Sequence, residues 1–231
     1  FVGVKLDERS PLCCEHFLVV TGEGSLPIDE KGFSYTASEA NLDTSLGQEY
    51  TDVRHPDTVT VRHKGYQVGK IYFYNQVRQL NRSHNIVGNV TNGHNLVHLV
   101  PLEGRVLVQP DPMRIMTIGM TQAEARTFLQ SIGKVQKRTG DTADDAIIVE
   151  QEPEMTIYAH KEKEIETLGV PREKVFPLTM DPEASPWTVR YFRKVTGMDH
   201  KPIGTMKVHF TFEGMPMITF EGDPKLAADL Y

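Results

Sequence analysis

Residues 4–22 read VKLDERSPLCCEHFLVVTG, and residues 178–197 read LTMDPEASPWTVRYFRKVTG. Each stretch contains Ser-Pro, a phenylalanine six residues after the proline, and a closing Val-Thr-Gly. Ser10 and Ser185 are 175 residues apart, and the other shared positions keep this offset. Self-similarity at a fixed offset is the signature of a duplicated structural unit. The chain is therefore predicted to hold two related units.

Each copy is predicted to form a short helix after an extended segment. Serine is a favourable N-cap, proline suits the first helical position, and glycine suits the left-handed residue after the last turn. In the second copy the apolar residues Val189, Phe192 and Val195 recur every three positions, which predicts a face towards the core. The first copy has apolar residues at the equivalent positions: Cys14, Phe17 and Val20.

The two cysteines of the chain are neighbours within the first copy. Cys14 matches Val189 and is expected to point inwards as a small apolar group. Cys13 lies about 100° further round the helix and is expected to be the more accessible thiol. Adjacent cysteines close a disulfide only through a strained ring, so they favour a reducing compartment.

Between the two copies, apolar residues alternate mainly with period two, which predicts β-strands. Four such runs are bounded by Gly, Pro and Asn residues: 59–63, 70–74, 84–90 and 105–109. Near the end, the apolar residues of 206–212 alternate with polar ones, which predicts a half-buried strand. The segment MPMITFEGD after Gly214 is expected to be its hairpin partner.

One segment between the copies has a helical pattern. Residues 121–133 offer Thr121 as N-cap, Glu124 as capping-box partner and Gly133 as the stop. The segment 137–145 is predicted to be an exposed loop, 146–151 a strand, and 160–169 a charged short helix or turn. Two prolines near residue 110 predict a boundary, with one unit at 1–110 and a second, divergent unit at 111–231 that includes the extra helix.

Composition narrows the class of protein. The chain has 231 residues, of which 39 % are hydrophobic and 24 % charged, which is typical of a globular protein. Its formal net charge of −6 argues against a surface that follows nucleic-acid phosphates. No run approaches the ~20 apolar residues of a membrane span. We therefore expect a soluble cytoplasmic protein that binds neither nucleic acid nor membrane.

Several stretches resemble cyclophilins. SHNIVGNVTNGHNLV (83–97) is similar to a late cyclophilin strand that precedes a glycine and a short helix, and SPWTVRYFRKVTG (185–197) resembles the early cyclophilin helix. SPLCCEHFLVVTG (10–22) looks like a divergent form of that helix. The resemblance implies tandem cyclophilin-like β-barrel units with short capping helices in an α+β, β-dominated protein. Because few residues follow the second helix, the second unit is expected to be incomplete or rearranged.

The chain as a whole is similar to the methanogenesis marker protein 3 family, an archaeal group with a cyclophilin-like region. Segments that carry this similarity cover most of the chain: 6–17, 61–74, 83–97, 114–125, 144–156 and 191–223. The resemblance implies a methanogen cytoplasm. It also implies, as partners, methyl-coenzyme M reductase and the factors that reductively activate its nickel tetrapyrrole.

Peptidyl-prolyl isomerase activity is the first chemistry that the resemblance suggests. The reaction needs an apolar proline pocket and a guanidinium that weakens amide resonance. In cyclophilins this arginine follows the first helix. The corresponding stretches, 28–42 and 207–222, contain no arginine. Catalysis is therefore not expected, since a fold does not by itself imply its function.

A metal cluster at Cys13 and Cys14 is the second possibility, with Cys13 favoured. A helix N-terminus lowers the pKa of a thiol, and the family context demands low-potential electrons. Two adjacent cysteines cannot both close around one cluster, so partner chains would have to supply further ligands. The alternative is that both are small buried residues. The sequence pattern by itself assigns no cofactor. An iron–sulfur cluster held at an interface with a partner chain is the alternative.

Other chemistries lack a pattern. The nine histidines include His94 and His98, four residues apart, but no third ligand follows at zinc-site spacing, so surface or capping roles are expected. No phosphate-binding glycine motif or hydrolase motif occurs. The candidate contact aromatics are Tyr66, Tyr72, Tyr74, Trp187 and Tyr191. A core position is the alternative for each of them, and taken singly it is the expected one. We therefore expect a non-catalytic scaffolding subunit, with a cluster-bearing electron-transfer subunit as the alternative.

Overall fold

The computed structural model describes residues 1–22, 24–40, 46–215 and 217–225. The chain is a β-dominated α+β protein that divides into two compact units. The first comprises Phe1–Met116 and Pro153–Lys163, and the second comprises Thr117–Glu152 and Glu164–Tyr231.

The first unit is built on one curled, half-barrel sheet of eight strands. Its strands are β1 (Val2–Leu6), β2 (Ser25–Pro27), β3 (Glu30–Lys31), β4 (Tyr35–Ser38), β5 (Thr58–Arg62), β6 (Ile71–Tyr74), β7 (His84–Asn92) and β8 (Arg105–Asp111). Their order across the sheet is β2-β8-β1-β7-β5-β6-β4-β3. β1 and β8 are parallel, and the other neighbours are antiparallel. The four strands predicted between the copies are confirmed.

The first copy of the repeat forms α1 (Pro11–Gly22), which packs its apolar residues against one face of this sheet. The shared core includes Cys13, Cys14, Phe17, Leu18, Val59, Val61, Ile71, Phe73 and Val87. The helix is buried on almost all sides, including Glu15 and His16. The helix begins and ends at the predicted positions. Gly22, however, is its last helical residue and does not have the predicted left-handed conformation.

A short helix, α2 (Leu96–Leu99), follows β7, and α4 (Thr156–Lys161) packs beside α1 in the same unit. α4 belongs to the segment that the sequence assigned to the second unit. The reason is a buried carboxylate: Glu15 accepts hydrogen bonds from the backbone N–H of Thr156 at 3.0 Å and from Nε of Arg114 at 2.9 Å. A buried carboxylate needs such partners to offset its desolvation.

The second unit contains a small sheet under α3 (Gln122–Ser131). β9 (Val135–Gly140), β10 (Ile147–Glu152) and β11 (Glu164–Val170) lie in the order β10-β11-β9, with β9 and β11 parallel. The helix is confirmed, and its capping box between Thr121 and Glu124 is present. A loop was predicted at 137–145, but residues 137–140 belong to β9. A helix or turn was predicted at 160–169, but residues 164–169 belong to β11. Charged residues there alternate along exposed strand faces, as in the Lys137–Glu166 ion pair at 2.6 Å.

The rest of the second unit holds the second copy of the repeat. After a 3₁₀ turn at Arg172–Lys174 come α5 (Pro186–Thr196) and the hairpin of β12 (Val208–Thr211) and β13 (Ile218–Phe220). Helix and hairpin are confirmed, and Gly197 is left-handed with φ 74°. The prediction that β12 is half-buried is wrong, because all four of its residues are exposed. In the described ranges, no helix has the length and apolar character of a membrane span.

Candidate functional site

The two predicted site residues, Cys13 and Cys14, lie in the first turn of α1 with no exposed surface. The expectation that Cys13 is the accessible thiol is therefore wrong. The curled sheet covers α1 on more than one side, so a rotation of 100° along the helix does not bring a side chain to solvent. Cys14 is buried, as the repeat predicted.

Polar groups from distant parts of the chain surround the thiol of Cys13. Its Sγ accepts a hydrogen bond from Nδ2 of Asn85 at 3.2 Å. Glu49 accepts hydrogen bonds from the backbone N–H groups of Leu12 and Cys13, at 2.8 and 3.0 Å. Asn85 in turn accepts from the N–H of Glu49 at 3.0 Å. Glu49 therefore caps the helix from 36 residues away.

Burial raises the pKa of both thiols, and the nearby Glu49 carboxylate acts in the same direction. The Sγ of Cys14 donates towards the carbonyl oxygens of Asp7 and Val87. The expected lowering of the thiol pKa by the helix N-terminus is wrong, because burial disfavours the thiolate and the capping carboxylate of Glu49 adds to that effect. Among the described residues no three potential ligands gather around a metal position. A cluster at Cys13 stays a prediction.

The opposite face of the sheet carries a buried aromatic and polar cluster. Tyr72 and Tyr74 of β6 stack at 6.4 Å between ring centroids, and Tyr72 meets the ring of His84 edge-on at 4.7 Å. Nδ1 of His84 lies 3.1 Å from Oγ1 of Thr60. Tyr72 and Tyr74, two of the candidate contact aromatics, are buried, in agreement with the alternative that they are core residues.

His84 is held neutral in this cluster. Burial lowers its pKa to about 3, and the positive charges of Arg54, Arg62 and His63 add to the effect. The surface role expected for the histidines is thus wrong for His84 and also for His16 and His63, which are buried. His94 is half-exposed and lies 3.0 Å from Asp57.

Arg54, in the segment before β5, lies beside this buried aromatic and polar cluster. Its Nη1 donates to the hydroxyl of Tyr74 at 2.7 Å, and Nη2 donates to the carbonyl of Gln79. The side chain is buried, and among the described residues its Nε has no hydrogen-bond partner. No sequence pattern pointed to Arg54 as a buried residue. The segment IYFY (71–74) is apolar on both faces, which indicates a strand covered on both sides and therefore a second buried layer in which a side chain such as Arg54 lies.

Within the second unit, exposed apolar side chains lie close together in sequence on and around the β12–β13 hairpin. Trp187 on α5 is 58 % exposed, and the rings of Phe210 and Phe212 lie 5.2 Å apart on β12. Other exposed apolar residues of this hairpin region are Met206, Val208, Met215, Met217, Ile218 and Phe220. Tyr191 is half-buried and bonds to Asp223. Of the five contact aromatics named from the sequence, Tyr66 and Trp187 are exposed.

A separate cleft of about 520 Å³ lies in the first unit between β1 and α4. Its charged lining is largely paired internally. Arg9 binds Asp7 at 2.6 Å, and Lys161 pairs with Glu8. This arrangement leaves little unbalanced charge with which to select a ligand.

Comparison with known proteins places similar chains in methanogenic archaea. A UPF0288 protein of Methanothermobacter thermautotrophicus is 38 % identical over 230 residues, covering 100 % of this chain and 44 % of the relative. A UPF0288 protein of Methanopyrus kandleri is 35 % identical over 231 residues, covering 99 % of this chain and 45 % of the relative. Homologues of the chain are therefore UPF0288 proteins of methanogens, and the chain spans less than half their length.

A family model described as "Putative peptidyl-prolyl cis-trans isomerase domain" matches residues 176–231. This range contains the second copy of the repeated helix and the exposed hairpin. A solved B. cereus protein is similar over 47 % of this chain and 33 % of its own, with 12 % identity and a TM-score of 0.39.

Proposed function

We propose that the chain is a non-catalytic assembly module that binds other proteins in methanogenic archaea. The observation that carries this proposal is the exposed apolar surface of α5 and the β12–β13 hairpin, which includes Trp187, Phe210 and Phe212. Exposed apolar patches larger than those of an ordinary monomer are typical of interaction sites, among them protein–protein contacts. Aromatic side chains are also the usual anchors of such contacts.

Several side chains with reactive groups are occupied by hydrogen bonds or ion pairs within the fold, which supports the same proposal. The thiol of Cys13 is buried against Asn85, and the carboxylate of Glu15 is occupied by Arg114 and Thr156. The ammonium of Lys70, almost wholly buried, lies 2.6 Å from Glu30. Groups that are satisfied within the fold stabilise it and are poorly placed to meet a substrate.

The proposed partners are methyl-coenzyme M reductase and the factors that activate it reductively. The similarity of the sequence to the methanogenesis marker protein 3 family supports this choice, and the methanogen origin of the relatives agrees with it. In this proposal the chain positions activation factors against the reductase in the cytoplasm and does not itself transfer electrons.

Affinity purification from anaerobically grown methanogen cells tests the proposal. The chain is tagged within its full-length protein, and the captured proteins are identified by mass spectrometry. We expect the reductase and its activation factors in the wild-type sample, and their loss when Phe210→Ser and Phe212→Ser are combined. Val135→Ser is the control, because Val135 is an exposed apolar strand residue outside the hairpin region. Capture that is equal in all three samples would contradict the proposal.

Peptidyl-prolyl isomerisation is the second candidate, favoured by the family model over residues 176–231. In the described part of the chain, Arg54 is the buried guanidinium beside an aromatic cluster, but it lies in the first unit, outside this range. A protease-coupled assay of cis-trans isomerisation on proline peptides separates the candidates. Turnover above the uncatalysed rate would favour the isomerase and count against a purely non-catalytic module.

A further inference from the structure

Three arginines lie in or beneath the loop that joins β6 to β7. Arg78 and Arg82 are exposed on this loop, and Arg54 lies beneath it, where it donates to the carbonyl of Gln79. Within the described ranges, none of the three forms an ion pair. Four of the other nine arginines do: Arg9, Arg114, Arg126 and Arg138.

Arg54 gives this cluster an unbalanced buried charge. Only 9 % of the residue is exposed, and the partners of its guanidinium are a neutral hydroxyl on Tyr74 and a neutral carbonyl on Gln79. Its Nε is buried without a partner among the described residues. A buried guanidinium that lacks an anion costs folding free energy, so a carboxylate brought near it gains more than at an ordinary surface arginine.

The loop itself has a mixed cationic and apolar surface. The segment 75–83 reads NQVRQLNRS and contains no acidic residue. Val77 and Leu80 are 57 % and 47 % exposed, and they alternate with Arg78 and Arg82. A phosphate chain would gain nothing from the two apolar side chains, and the net charge of −6 opposes its approach. A peptide that mixes acidic and apolar residues complements both features.

We propose that the loop 75–83, with Arg54 beneath it, binds an acidic and apolar segment of a partner protein. Carboxylates of the segment pair with Arg78 and Arg82, whose planar guanidinium groups suit two-point contact. Its apolar side chains cover Val77 and Leu80. This inference rests on the proposed assembly function and adds the chemistry of one partner.

Fluorescence anisotropy with the purified chain and a short labelled peptide of glutamate, leucine and serine tests the inference. We expect binding that weakens as salt is added, and an affinity lower by about tenfold or more when Arg78→Gln and Arg82→Gln are combined. The control is Arg126→Gln, because Arg126 already faces Asp144 at 3.8 Å. A peptide with glutamine in place of glutamate is expected to lose binding.

Two results would overturn the inference. One is equal binding of the glutamate and glutamine peptides, and the other is unchanged affinity in the double variant. Tighter binding of a single-stranded oligonucleotide through the same arginines would also overturn it. Arg78 donates to Ser34 at 2.5 Å, so its loss could disturb the fold. Arg82→Gln alone is therefore measured too, and each variant is compared by thermal unfolding.

The outcome of the peptide measurement is independent of the outcome of the capture experiment. Peptide binding uses the purified chain and the first unit, whereas capture is tested by variants of the hairpin in the second unit. Loss of reductase capture with intact peptide binding would reject the proposed assembly partners and leave the acidic-segment site in place.

Discussion

The backbone N–H of Cys13 donates a hydrogen bond of 3.0 Å to the carboxylate of Glu49, which follows 36 residues later in the chain. The same carboxylate accepts from Leu12, so it satisfies two N–H groups that the first turn of α1 leaves unpaired. The start of α1, which places Cys13 and Cys14 in the core of the first unit, thus depends on a side chain that is distant in the sequence.

Removal of this cap is expected to destabilise the first unit. Glu49→Ala leaves two helix N–H groups without an acceptor, and we expect a loss of about 1–2 kcal/mol in the free energy of unfolding. Glu49→Gln keeps one acceptor oxygen and should lose less. Chemical denaturation followed by circular dichroism measures both. Equal stability of Glu49→Ala and the wild type would mean that the cap is unimportant.

The two thiols are expected to be inert in the folded protein. Burial and the raised pKa of Cys13 and Cys14 keep them protonated and out of reach of reagents. Titration with a thiol reagent should detect no reactive thiol at neutral pH and both after addition of denaturant. Rapid reaction in the native protein would contradict the burial of α1.

The cluster prediction has its own test. Cys13→Ala is expected to lower the iron content of the assembled complex if Cys13 binds a cluster, and an unchanged iron content would contradict that role.

Stability of the first unit is expected to fall with pH below neutrality because of His84. Its pKa is about 3 in the folded protein and about 6.5 when unfolded, so between these values the unfolded chain binds more protons. Acidification therefore favours unfolding, and His84 alone contributes a loss of about 2 kcal/mol between pH 7 and pH 5. Denaturant titrations of the wild type and His84→Gln at both pH values measure the difference. A pH dependence that is identical in the variant would show that His84 has no part in it.

A side chain at Gly88 is expected to disrupt the sheet. Gly88 of β7 lies opposite Leu6 of β1, and a methyl group there would overlap the backbone carbonyl of Lys5. We expect Gly88→Ala to cost about 1–3 kcal/mol or more. Gly22→Ala is the control, because a methyl group at Gly22 meets no atom within 4 Å and α1 is helical there. Thermal unfolding that shifts equally in both variants would contradict this packing.

Local chemistry in the sequence was sufficient for the elements that carry their own signals. The proline at the first position of α1 and of α5, the capping box at Thr121, and the period-two runs of β5 to β8 each act through neighbouring residues. Their helices and strands follow from caps and side-chain periodicity within a few turns. The second copy also shows the limit of the repeat, because the same pattern is buried in α1 and half-exposed in α5.

The tertiary structure alone decided which side chains meet. Asn85 reaches Cys13 across 72 residues, and Arg114 reaches Glu15 across 99, so no local pattern encodes either contact. It also decided that Cys13 is buried and that Arg54 lies among Tyr74 and Gln79. The physical reason is that burial, pKa, charge balance and the Glu49 cap of α1 depend on the chain that closes around a residue. Strand alternation and the capping box at Thr121 depend only on neighbours in the sequence.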